Sequence, residues 1–128
     1  MDRSRVSTGT DWEEHVGYSR AIRTGDTVRV AGTIATDDDG AVVAPGDAYE
    51  QTKHAFEIVA DALADLDAAI ADVVQTRMYV TDIEDQERVG EAHSEFFADV
   101  RPVATMVEVS GLAAPEAVVE VEAVAQVE

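Results

Sequence analysis

There is no cysteine among the 128 residues, and lysine occurs once, at Lys53. The first absence excludes disulfides, thiolate metal sites and a cysteine nucleophile. The second belongs to a wider deficit of positive charge: 27 Asp and Glu stand against 9 Lys and Arg, a net charge of −18. A chain this acidic is poorly suited to nucleic acid, where affinity comes largely from Lys and Arg neutralising phosphates. It is equally unsuited to anionic membrane surfaces. No run approaches the roughly 20 consecutive apolar residues of a membrane span. Met1-Asp2-Arg3-Ser4-Arg5 leads into polar residues rather than an apolar signal segment, so a cytoplasmic location is expected. A glycine-rich phosphate loop, a G-x-S-x-G elbow and an HExxH pair are also missing. His15, His54 and His93 stand too far apart for a local metal motif, so neither metal nor cofactor is expected.

What is present is a core. Hydrophobic residues make up 46% of the chain, above the profile of a disordered acidic protein. A chain of this length makes one domain, able to bury roughly two-thirds of its unfolded surface. An acidic, lysine-poor surface around such a core reads as adaptation to high salt. At 1 M salt the screening length falls to about 3 Å and self-repulsion is suppressed.

The periodicities then order the chain. Residues 1–16 show no clear period and read as an N-terminal arm, mobile or laid along a sheet edge, ahead of a single domain over 17–128. Residues 27–35 alternate as a strand, with Val28, Val30 and Ile34 on one face. Arg23-Thr24-Gly25-Asp26 supplies a hairpin turn back to 18–22, and 41–43 is a short optional strand. Asp47, with Glu50 three residues on, opens an amphipathic helix over 47–66. Residues 73–80 form a strand with Val74, Thr76, Met78 and Val80 on one face and Val73, Gln75, Arg77 and Tyr79 on the other. A second helix starts near Asp82 and ends before Pro102, which disfavours helix at Arg101. Strands over 103–109 and 118–127 complete the order β-β-(β)-α-β-α-β-β. This is an α+β, two-layer domain with two helices on one face of a mixed sheet.

Several blocks along the chain carry a family resemblance. They are Tyr18-Ser19-Arg20-Ala21-Ile22, Gly25-Asp26 before a valine-rich strand with Gly32, Gln51-Thr52, Tyr79-Val80-Thr81-Asp82, and Phe96-Phe97. Arg101-Pro102 followed by Val107-Glu108-Val109, and Val119-Glu120-Val121-Glu122-Ala123, complete the set. In this order and spacing the chain resembles the RidA/YjgF family of reactive intermediate deaminases, also described as endoribonuclease L-PSP-like. The resemblance implies a chorismate-mutase-like homotrimer with small-molecule clefts between subunits. It also implies hydrolysis of reactive imines and enamines, without cofactor.

Carried over residue by residue, the resemblance makes Tyr18 the cleft tyrosine, Thr105 the usual hydroxyl, and Glu108 the glutamate that positions water. It also exposes departures. Ala104 stands where the family's deaminases carry the arginine that holds the substrate carboxylate. Ala31 replaces a serine, Met106 a frequent cysteine, and Glu84 stands near a frequent asparagine. Arg101 and Arg77 are the cations in reach of the missing role, and Arg77 shares its strand face with Tyr79. Both also fit plain ion pairs on so acidic a surface. Glu108, alternating with Val107 and Val109 and sharing a face with Ala104 and Met106, is a candidate acid or base. Trp12 either covers a cleft or pins the arm.

Two functions follow. One is a trimeric enzyme that hydrolyses an imine, enamine or related C–N bond, with Glu108 and Thr105 catalytic and Tyr18, Arg101, Arg77 and Tyr79 binding substrate. The other is a non-catalytic trimer that binds a metabolite or a protein.

Overall fold

The computed structural model describes residues 2–128. Six strands, β1 (Arg3–Val6), β2 (Ala21–Thr24), β3 (Thr27–Thr33), β4 (Val73–Val80), β5 (Val103–Glu108) and β6 (Val119–Gln126), form one sheet. Their order is β1-β2-β3-β6-β4-β5. Only the β4–β5 pair is parallel, so the sheet is mixed. Three helices, α1 (Asp11–Val16), α2 (Ala48–Asp65) and α3 (Gln86–Phe97), accompany it. Helices α2 and α3 pack on one face, giving the two-layer α+β architecture expected from the hydrophobic periods.

The helix α2 forms where its apolar period and its cap agree. Asp47 accepts from the Glu50 N–H at 3.0 Å, which satisfies one orphan donor of the first turn. Ala48, Thr52, Ala55, Phe56, Val59 and Leu63 then recur at helical spacing and are buried. Gln51, also fully buried, donates to the carbonyls of Ala44 and Glu116 and accepts from the Val118 N–H. All its polar atoms are therefore satisfied, and it ties two loops to the helix. Asp82 caps a 3-10 turn at Ile83–Asp85 rather than α3 itself, accepting from the Glu84 N–H at 2.9 Å.

Two strands differ from simple alternation because each contains a bulge. Between Val30 and Thr33 the register of β3 against β6 shifts, so Thr33 and Ala35 enter the core and Ile34 does not. Between Val73 and Gln75 the β4 register shifts likewise. Val73 joins Thr76, Met78 and Val80 inside, and Val74 is turned out, 47% exposed. An extra residue on one strand inverts the faces beyond it, and strict period-two counting cannot see that. The optional strand at 41–43 is reduced to an isolated bridge between Thr36 and Val42. Near the N-terminus, residues 3–6 add an edge strand to β2, and 11–16 form a helix that periodicity had not revealed.

No helix among the described residues is long and apolar enough to cross a membrane.

Candidate functional site

The site begins at the end of α1. Gly17 adopts a left-handed φ of 91° that closes the helix, which brings Tyr18 back toward the sheet. Two residues on, Arg20 is only 8% exposed. Its Nη1 donates to the Gly32 carbonyl at 2.6 Å and the Thr33 hydroxyl at 3.1 Å. Its Nη2 donates to the Tyr18 hydroxyl at 3.0 Å and to Glu13 Oε2 at 3.3 Å. The guanidinium also lies 5.4 Å from the Tyr18 ring centre, within cation–π range.

The carboxylate of Glu13 is 2% exposed, which a lone charge could not sustain. Burial on its own would raise its pKa. Hydrogen bonds from the Thr8 and Ser7 hydroxyls and the Thr8 N–H, with the Arg20 charge, outweigh burial and hold the carboxyl below its ordinary value. Glu13 therefore stays ionised and neutralises Arg20.

Gly32, whose carbonyl receives Arg20, sits in the β3 bulge. A Cβ at this position would collide with the Glu120 carboxylate, so glycine makes room for that side chain. Glu120 lies on β6, half-buried, on the face opposite Val119 and Val121. Burial raises its pKa; Arg20 pulls it down and Glu122 pushes it up. A carboxyl group whose pKa is raised in this way is better suited to hold and return a proton than an ordinary surface carboxylate. The sequence shows Glu120 only as part of the Val119-Glu120-Val121-Glu122-Ala123 block and assigns it no role. The available signal was a pair of carboxylates in the middle of an apolar strand, and it becomes informative only once β6 is known to be central in the sheet.

One residue pair further along, Glu122 gathers two of the residues singled out from sequence. Arg77 Nη1 lies 3.4 Å from Glu122 Oε1, and the Tyr79 hydroxyl donates to the same oxygen at 2.5 Å. That bond, with burial, raises the Tyr79 phenol above its usual range. Tyr79 is the register partner of Glu120, so the two stand side by side on adjacent strands. Arg77, Glu122, Gln75, Arg29 and Val124 line a shallow depression of about 370 Å³.

The other predicted residues lie on β5, at the edge of the sheet. Thr105 pairs with Arg77 and Glu108 with Val80, which puts them on opposite faces of the strand. Thr105 and Glu108 are both exposed, as is Ala104. Glu108 Oε1 accepts the Ile83 N–H at 2.9 Å and so fastens the end of β5 to the turn after β4. Arg101, also exposed, has a left-handed φ of 57° and makes no ion pair among the described residues. Trp12 is 57% exposed, its ring centre 6.1 Å from that of His15. Among the described residues no three His, Asp or Glu side chains come together as a metal site.

Comparison with known proteins agrees with this architecture. The family described as endoribonuclease L-PSP matches residues 10–127. An uncharacterised protein of Streptomyces coelicolor is 42% identical over 118 residues, 92% of this chain and 87% of that protein. The 3-aminoacrylate deaminase RutC of Acinetobacter baylyi is 31% identical over 110 residues, 86% of each chain. The crystal structure of Rv2704 from Mycobacterium tuberculosis, described as a member of the YjgF/YER057c/UK114 family, superposes with a TM-score of 0.90 at 46% identity. The match covers 98% of this chain and all of that one. With its mixed sheet, its two packed helices and a family match over nearly its whole length, this chain belongs to the RidA/YjgF (endoribonuclease L-PSP) family.

Proposed function

We propose that this protein is a cytoplasmic, salt-adapted homotrimer that binds a small polar metabolite in clefts between copies and hydrolyses an imine, enamine or related C–N bond. The observation that carries this reading is Glu120: a half-buried carboxyl of raised pKa, set over Gly32, whose carbonyl receives the Arg20 that also holds Tyr18. As base, Glu120 takes a proton from water as the oxygen adds to the C=N carbon. As acid, it returns that proton to the nitrogen, and the carbinolamine collapses to a carbonyl compound and ammonia. The deaminase activity in the name of the 31%-identical RutC supports the reaction class.

In this reading each copy contributes two half-sites. One is Tyr18 and Glu120; the other is the β5 edge with Thr105, Glu108 and the neighbouring Arg101. Thr105 is the group that edge offers to water and Arg101 the cation it offers to an anion, while Glu108, on the other face, fastens the end of the strand to Ile83. Arg77 and Tyr79, held by Glu122, form the wall between the halves. Apolar side chains exposed at this side of the sheet support self-association: Val103 at 69%, Val74 at 47% and Val107 at 42%. Net charge supports high-salt adaptation and weighs against nucleic acid.

A second reading, a trimer that binds without turning over, is favoured by Ala104, since no arginine stands at the carboxylate-holding position. The discriminating assay supplies imino acids from an amino-acid oxidase in molar salt, to the natural protein, Glu120→Gln and Ala104→Arg. Acceleration by the natural protein that Glu120→Gln loses supports hydrolysis. Activity in Ala104→Arg alone favours a redirected cleft, and no activity in any form favours the binding trimer.

A further inference from the structure

Arginine at position 20 is an unusual resident of a nearly closed space, because a buried guanidinium needs a partner for its charge and for its donors. Both needs are met within the chain. Glu13 supplies the charge, and four acceptors take the bonds of the two terminal nitrogens: Glu13, Tyr18, the Gly32 carbonyl and Thr33. With those bonds committed, Arg20 is not placed to grasp a substrate. What it touches instead is the machinery. It holds the Tyr18 hydroxyl, and it binds the carbonyl of the glycine over which the Glu120 carboxylate lies. Glu13 reaches it from α1, with Ser7, Thr8 and Thr10 arranged around the same turn.

We propose that Arg20, clamped by Glu13, is a positioning residue: it aims the Tyr18 hydroxyl and is the fixed positive charge that faces Glu120 from behind. The segment from Ser7 to Gly17 is thereby part of the site, because Glu13 sets how much of the Arg20 charge Glu120 feels. The groups around Glu120 are Gly32 on β3, Tyr79 on β4 and Glu122 on β6, and Arg20, which binds the Gly32 carbonyl and the Tyr18 hydroxyl, acts on it through its charge. Arg20 is the cation whose charge acts on this group, across the Gly32 carbonyl that it binds, while Arg77 is taken up by Glu122. Burial and Glu122 both favour the protonated form of Glu120, and Arg20 opposes them.

The geometry makes an unusual demand on two substitutions at one ion pair. Arg20→Gln removes the cation, so the Glu120 titration midpoint rises. Glu13→Gln leaves the cation in place on Gly32, Thr33 and Tyr18 but removes its counter-charge, so the midpoint falls. A role confined to packing moves both in the same direction, since each loses the same contact.

The test is a carbon-detected NMR titration of the glutamate side-chain carboxyls in molar salt, with the Glu120 signal assigned by its loss in Glu120→Gln. The proposal predicts shifts of opposite sign for Arg20→Gln and Glu13→Gln, and a midpoint for Arg20→Lys closer to the natural protein than that of Arg20→Gln. Where Arg20→Gln does not fold, Glu13→Gln and Arg20→Lys carry the test. Shifts of the same sign, or none in a folded Glu13→Gln, overturn it. The role rests on the reading of Glu120 as the acid–base group, but this titration does not. Opposite shifts in a protein that hydrolyses no imine would uphold the positioning and sink the reaction. Hydrolysis lost in Glu120→Gln, with the midpoint unmoved in the other variants, would do the reverse.

Discussion

The Arg20 cluster and the β5 edge differ in how far a single chain completes them. Around Arg20 a closed set of partners is present: a buried anion, a buried cation, two hydroxyls, and a glycine that clears space for Glu120. At β5, Val103, Ala104, Thr105, Val107 and Glu108 are all exposed, and Arg101 stands in a strained backbone conformation without a counter-ion among the described residues. The first region holds its chemistry ready; the second leaves apolar and polar groups uncovered. This is the pattern expected of a site assembled from unlike halves of neighbouring copies.

The contrast can be broken most severely by charge removal. Arg20→Ala leaves Glu13 buried without its partner and should cost about 3–5 kcal/mol in denaturant unfolding. Exposed Arg101 should respond in the opposite sense. Arg101→Gly relieves a left-handed φ and should stabilise by about 1 kcal/mol. A neutral Arg20→Ala would mean that the cluster is not closed as described.

A middle-sized effect concerns salt. With a net charge of −18 and four ion pairs among the described residues, self-repulsion is screened mainly by ions from solution. Melting temperature should climb steadily from low to molar salt. A flat series would remove the high-salt reading and leave the fold and site untouched.

A smaller effect comes from beneath β4, the strand to which β5 is paired. His93, held 2.8 Å from the Thr76 hydroxyl and packed on Phe56 and Phe97, has its pKa lowered by burial. The unfolded chain therefore binds the proton first, and stability should decline as pH falls below about 6.5. His93→Gln should flatten that decline in unfolding curves between pH 8 and 5. An unchanged slope would assign the pH dependence to the carboxylates.

Much of this architecture was legible in residue order. Helix α2 and its Asp47 cap, the Gly25-Asp26 hairpin turn and the strand at 118–127 all express local chemistry that a single sequence displays. The two bulges were not legible, because an inserted residue leaves no compositional trace, and they inverted the faces assigned to Val73, Val74 and Ile34. Of the residues singled out from sequence, Tyr18 came from the family resemblance and Arg77 and Tyr79 from a shared strand face; the fold sets Tyr18 against Arg20 and the other two against Glu122. Glu13 and Arg20 were missed because their meaning is tertiary: a lone acid in an irregular arm and a lone arginine before a strand become one buried pair only when the chain folds. Glu120 was hidden among the chain's 27 acidic residues, and the register of β6 against β3 and β4 distinguishes it.

The most direct test of the central claim, that unlike halves from different copies make one site, is complementation. Glu120→Gln disables the closed half, and Thr105→Trp blocks the open face of β5. Each alone should hydrolyse imine poorly in high salt. Refolded together at equal ratio, they should recover up to about a quarter of the natural rate, the chance that an intact Glu120 faces an intact Thr105 across a ring interface. A mixture no faster than either variant, beside an active natural protein, would place the whole site within one copy and contradict the account.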